Sequence, residues 1–208
     1  MNLNVIQNLV PPNKYHYKCP YTMTPQFIVV HNTANDASAQ AEIKYMLSNN
    51  NYTSFHYAVD DKEVVQGILE NRNAFHAGDG DTGKGNRYGI AIEICYSKSG
   101  GDKFIKAEQR AAKLIAERLK AYGWGIDRVT KHQDYSGKYC PHRTLDMGWQ
   151  RFLNMIQAEL EMDDMNLDEA LKVLKANNLI SNVEPWKTTV ETGKYFETLI
   201  MNMAEKLK

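Results

Sequence analysis

The stretch VTKHQDYSGKYCPHR, residues 129–143, gathers His132, Lys138 and Cys140 among Gly, Ser, Asp and Tyr, residues that suit a loop. Cys140 follows His132 by eight residues and Lys138 by two, so one turn of chain can carry a histidine and a cysteine to the same point. His31 closes the apolar run of FIVVHNTA, where the end of a strand can present a side chain into a cleft. A catalytic zinc site needs about three protein ligands from His, Cys and carboxylate. The ion then lowers the pKa of a water it coordinates toward ~7. His31, His132 and Cys140 are the candidates for such a set. Each signal alone is weak, since a single His after a strand is more often a hydrogen-bonded structural residue.

Two further residues have the right chemistry. Glu93 is the one carboxylate in the apolar run GIAIEICY, and a buried acid without a partner is costly, so it must face a polar cleft or a cation. Facing a cleft, it can act as a general base; paired with Lys or Arg, it is structural. Lys138 can place positive charge against the oxyanion that forms when an amide carbonyl becomes tetrahedral. Its bland alternative is a solvated loop lysine.

These residues need a frame. FIVV (27–30), SFHYAVD (54–60), EVVQGI (63–68) and GIAIEICY (89–96) predict strands, the second and third joined as a hairpin through Asp60, Asp61 and Lys62. SAQAEIKYMLSNN predicts a helix with Ile43, Met46 and Leu47 on one face. KAEQRAAKLIAERLKAYG predicts another, striped by Ala107, Ala111, Leu114, Ile115, Arg118 and Tyr122 and stopped by Gly123. WQRFLNMIQAEL sets Trp149, Phe152, Leu153, Ile156 and Leu160 together. The expected fold is α/β, a mixed central sheet flanked by helices over residues 1–161, followed by a small helical appendage over 162–208. Residues 163–208 hold six lysines against eight acids and no His, Cys or Arg, a clear change of composition. In the appendage, Asn166 with Glu169 predicts a helix start, and Phe196, Leu199, Ile200, Met203 and Leu207 a final helix. So short a segment rarely folds without support, so packing on the first domain, a second copy or an outside partner is expected.

Composition sets limits. The 25 Lys and Arg balance the 25 Asp and Glu, so bulk positive charge for nucleic acid is absent. No apolar run reaches the ~18–20 residues of a membrane span, and membrane insertion is not expected. The start, MNLNVIQNLVPPNKYHYKCP, has no basic segment leading into an apolar one, so cytoplasmic synthesis without a signal peptide is expected. Cys19, Cys95 and Cys140 are too few and too irregular for a disulfide framework, and Cys95 reads as a buried thiol.

Taken in order, FIVVHNTA, FHYAVDD, AFHAGDG, GIAIEIC and KHQDYSGKYCPHR resemble the type-2 N-acetylmuramoyl-L-alanine amidases, relatives of peptidoglycan recognition proteins and frequent among phage and prophage endolysins. The resemblance covers most of residues 27–143. It implies Zn2+ held by His31, His132 and Cys140, with Glu93 and Lys138 as the catalytic pair. It implies cleavage of the amide between N-acetylmuramic acid and L-alanine in bacterial peptidoglycan, with action at the cell wall after release. Substrate contacts are expected from Asn32, Phe75 and His76. Phe75 stands where Trp is frequent, preserving an aromatic wall. Phe55 stands where many relatives carry a Tyr whose hydroxyl assists catalysis, which leaves Glu93 or water as the base. His56 reads as a packed residue. The appendage is expected to bind a wall polymer or a second copy of the chain.

Two other readings use the same scaffold. One is a peptidoglycan-binding protein without activity, a class that typically lacks the ligand cysteine; the other is a cytoplasmic cell-wall recycling amidase. GDGDTGKG (78–85) nearly spells a phosphate-binding loop, but Gly85 stands where Ser or Thr would ligate magnesium, and Asp79 and Asp81 would repel phosphate. A glycine-rich loop on the substrate side is the better reading.

Overall fold

The computed structural model describes residues 3–164, 167–182, 203, 204 and 207. By compactness the chain divides into Met1–Gln157 and Ala158–Lys208. The first unit runs β1 (Val5–Gln7), α1 (Tyr15–Lys18), β2 (Phe27–Asn32), α2 (Ala39–Ser48), β3 (Tyr57–Val59) and β4 (Val64–Gln66). It continues with α3 (Lys84–Tyr88), β5 (Gly89–Ile94), α4 (Gly101–Tyr122), β6 (Val129–Lys131), α5 (Gln133–Ser136), α6 (His142–Asp146) and the start of α7 (Trp149–Asp164). The strands form one mixed sheet in the order β1-β4-β3-β5-β2-β6. Only β3 and β4 pair antiparallel, through the expected hairpin; the other pairings are parallel.

The α/β architecture matches the expectation, with corrections at the edges. The strands at 54–60 and 63–68 shrink to three residues each, and β1 and β6 were not foreseen. Three residues are too few for an alternating pattern to stand out from a loop. α4 starts at Gly101, five residues before the predicted stretch, because Phe104 extends its buried stripe by one turn. Its end is as read: Gly123 adopts φ +66°, and its N–H caps the carbonyls of Leu119 and Lys120. At that end Arg118 and Tyr122 do not enter the apolar core but meet Glu70, which also accepts the Tyr57 hydroxyl.

Side chains on β5 alternate. Ile90, Ile92 and Ile94 are fully buried, and α4 packs against β5 and β3. Ala91 and Cys95 share an apolar cluster with Ala58 and Val65 of the sheet and with Ile43 and Met46 of α2. Glu93 lies between them in sequence and so shares their face. α7 buries Phe152 and Ile156, and Arg151 of α7 bonds at 2.6 Å the fully buried carboxylate of Glu108 on α4. The three cysteines are free and buried. No helix among the described residues is long and apolar enough to cross a membrane.

In the second unit α8 spans Leu167–Ala176, and Ala170, Leu171, Leu174, Ile180 and Ala204 form a small cluster of their own. The start signal at Asn166 and most of the final helix pattern lie outside the described residues.

Candidate metal centre

Parallel pairing brings the chemistry to one edge of the sheet. β2 and β5 align so that His31 stands directly opposite Glu93, one residue before each strand ends. β6 flanks β2 on the other side and ends at Lys131; the next residue, His132, donates its backbone N–H to the Val30 carbonyl at 3.3 Å. Three neighbouring strands thus deliver His132, His31 and Glu93 at their carboxyl ends, where open α/β sheets place their ligands. The loop after His132 then doubles back. α5 is closed by Gly137 at φ +75°, and the Gln133 N–H bonds the Cys140 carbonyl at 3.0 Å. Cys140 is returned beside His132 by that bond.

Among the described residues, one ligand atom from each of His31, His132 and Cys140 lies within 4.8 Å of the others. The Nδ1 atoms of His31 and His132 are 3.0 Å apart, and Cys140 Sγ is 3.9 Å from His31 Nδ1. Around a tetrahedral ion with bonds of about 2.0–2.3 Å, donors fall roughly 3.3–3.7 Å apart, so modest adjustment accommodates a metal. All three side chains are buried. Desolvation is the main cause that holds His31 well below its ordinary pKa, followed by His76, His132 and Lys138. Desolvation and then Lys138 lower His132, against Asp79 and a backbone bond at Ala77. Both imidazoles are therefore neutral ligands at neutral pH. Burial first, then Glu93, pushes the Cys140 thiol up to about 11. A divalent cation would reverse that preference, because it stabilises the thiolate directly.

His76 holds the ring of His31. Its Nδ1 is 2.9 Å from His31 Nε2, so His31 presents an Nδ1 lone pair when Nε2 carries the proton and donates to His76. Glu93 Oε1 is 4.0 Å from His31 Nδ1, and Oε2 is buried without a hydrogen-bond partner among the described residues. Burial raises the Glu93 carboxyl to about 8, Glu42 adds to the rise, and Lys138 opposes it. An orphaned acid oxygen beside three converging donors fits a site built to receive a cation.

Two clefts adjoin these residues. The larger, about 810 Å³, is lined by Tyr52, Thr53, Phe75, His76, His132 and Lys138, with Gly78, Gly80 and Asp81 from the glycine-rich stretch. The smaller, about 310 Å³, has Glu93 and Phe55 in its wall with Asn35, Glu42, Asn49 and Thr53. Phe75, His76 and Lys138 thus line the larger cleft. Asn32 lines neither. Its Nδ2 donates to the His31 carbonyl and Thr144 Oγ1, while its Oδ1 accepts from the N–H groups of Arg143 and Thr144. It caps α6 from within, and strand alternation explains why: residues 31 and 32 face opposite ways. His56 is buried, its ring between the Arg72 carbonyl and the Ala91 N–H. Glu42 and the segment 49–53 escaped the sequence reading. Glu42 sits beside Ile43 on α2, at the turn that faces the sheet, a signal that helical periodicity does contain.

The profile of the N-acetylmuramoyl-L-alanine amidase family matches residues 21–143, a span that includes His31, Glu93, His132, Lys138 and Cys140. The chain belongs to this family. Among its amidase relatives, CwlA of Bacillus subtilis (strain 168) is 57% identical over 162 residues, covering 77% of this chain and 60% of that protein. XlyB of the same organism is also 57% identical, over 161 residues, with 77% and 51% covered. The solved structure of PlyL superposes with a TM-score of 0.72 at 52% identity, covering 74% of this chain and 97% of that one. The chain therefore spans roughly half to three-fifths of the length of these curated amidases.

Proposed function

We propose that this chain is a zinc-dependent peptidoglycan hydrolase that cuts the amide between N-acetylmuramic acid and L-alanine, with a phage or prophage endolysin as its setting. The observation that carries the reading is the convergence of two neutral imidazoles and a buried thiol beside the unpartnered carboxylate of Glu93. Family membership and the amidase relatives support the bond assigned. A mixed nitrogen and sulfur donor set suits zinc, and His31, His132 and Cys140 would hold it. When bound, zinc supplies Lewis acidity, polarising a carbonyl and lowering the pKa of water.

The protein residues supply the rest. The two clefts share Thr53 in their walls, the larger reaching His132 and the smaller Glu93, so a substrate can lie across Thr53 with its scissile amide between His132 and Glu93. Glu93, on the smaller cleft, takes the proton of the attacking water at a carboxylate oxygen and delivers it to the departing L-alanine nitrogen. Phe55 has no hydroxyl to share that work. Lys138, exposed in the larger cleft, sets its ammonium against the oxygen of the carbonyl as negative charge develops there. Phe75 and His76 form part of the wall that orients the substrate.

The deciding experiment is mass spectrometry of the products from purified Gram-positive peptidoglycan, with the zinc-loaded protein and after treatment with a chelator. Stem peptides beginning at L-alanine, beside uncut glycan strands, are expected only with zinc. Intact peptidoglycan from a folded, zinc-loaded protein would leave a binding role in place of the enzyme.

The segment after Leu160 we assign to attachment, to a wall polymer or to a second copy of the chain. Truncation there should weaken sedimentation with cell walls or change the number of chains per particle in solution. If neither changes, the assignment is wrong.

A further inference from the structure

Among the described residues, Lys18 is the largest fully buried side chain that carries a charge, and no carboxylate is among its hydrogen-bond partners. Its ammonium donates to Asn49 Oδ1 at 2.9 Å, to the Thr53 carbonyl at 3.1 Å and to the carbonyl of Asn51. Three donors meet three oxygens, all from one short segment that has no regular structure. An internal lysine is costly unless every N–H is satisfied, so this arrangement is specific. Burial, then Lys14, pulls its pKa down to about 8, still on the protonated side at neutral pH.

That segment is the shared rim of the two clefts. Tyr52 and Thr53 line the larger, and Asn49, Asn51 and Thr53 line the smaller. The backbone of the same lysine ties this segment to Phe75, which also lines the larger cleft. Its carbonyl accepts from Ser54 Oγ at 2.6 Å, and that oxygen accepts from the Phe75 N–H at 2.9 Å. Lys14, one turn earlier, holds the carbonyls of Leu47 and Asn49 where α2 ends.

We propose that Lys18 is a positioning residue of the substrate groove, its buried ammonium fixing residues 49–53 as the rim over which substrate passes between the two clefts. This rests on the amidase reading for its substrate. The residue touches neither the reacting atoms nor the metal donors.

The test compares the full-length zinc-loaded protein with Lys18→Met, which keeps the length of the stem and removes the three donors. With a soluble muramoyl peptide, kcat/KM should fall on the order of 10- to 100-fold, mostly through KM, because a rim away from the reacting atoms holds ground state and transition state alike. Zinc content should stay the same, and the two hydrogen-bonded amides of the clamped segment, Asn51 N–H on Asn49 Oδ1 and Ser54 N–H on the Phe75 carbonyl, should exchange with deuterium at least about tenfold faster than in the parent protein. Unchanged exchange, or a loss confined to kcat, would overturn the proposal. If Lys18→Met does not fold, the parent protein still decides. Its Lys18 ammonium protons should be visible in slow exchange by NMR and shift when the muramoyl peptide is added. A signal that is absent, or indifferent to the peptide, overturns the proposal. If the parent releases no L-alanine peptides, the amidase reading fails, whereas the exchange rates still report on the clamp.

Discussion

Cys140→Ser should yield a folded protein that no longer retains zinc and has lost its hydrolase activity. The fold should tolerate the change because the loop is closed by backbone bonds, from the Gln133 N–H to the Cys140 carbonyl and from the Cys140 N–H to Lys138. The hydroxyl fills nearly the volume of the thiol. What changes is the donor. A thiol can ionise onto a divalent cation, while a serine hydroxyl in the same buried position has no comparable route to an anion. Two imidazoles 3.0 Å apart remain, which is too few ligands for a closed protein grip. The loss should go well beyond the roughly 10- to 100-fold cost of removing an outer partner of a ligand. Zinc per chain by atomic emission, the melting curve and product release are to be read on one preparation. Zinc retained at the parent level would remove Cys140 from the ligand set.

The donors were legible by type, but their meeting point was not. Nothing in FIVVHNTA and KHQDYSGKYCPHR states that β6 runs beside β2, because β6 is three residues long and only its pairing distinguishes it from a loop. The pairing of Glu93 with His31 is a matter of register between strands about sixty residues apart, which apolar content cannot reveal. Asn32 is the opposite case. Its neighbour in sequence points into the site, yet strand alternation alone sends Asn32 to the other face, where α6 takes up its hydrogen bonds. The contact between His76 and His31 joins an irregular segment to a strand, with no periodicity to betray it. Lys18 was invisible for a statistical reason: lysines are nearly always exposed, so nothing in KYHYKCP marks this one as internal.

Glu93→Gln separates chemistry from assembly more sharply than any change at the ligands. Glutamine keeps the shape of the side chain and its place in register with His31, but its amide cannot accept a proton at neutral pH. If Glu93 moves the proton from water to the leaving nitrogen, kcat should fall about 10²- to 10⁴-fold with zinc content unchanged. Stability should not suffer, since Oε2 has no hydrogen-bond partner among the described residues and burial already favours the neutral carboxyl, whose shape and polarity the amide keeps. The neighbourhood offers one other acid. Glu42 lines the same cleft, is held up by burial and is bonded to the Asn35 amide, so it is engaged where Glu93 is not. Glu42→Gln should therefore cost far less than Glu93→Gln in the same product assay. Equal losses would make the two carboxylates joint bearers of the proton, and full activity in Glu93→Gln would pass the role to Glu42 or to water alone.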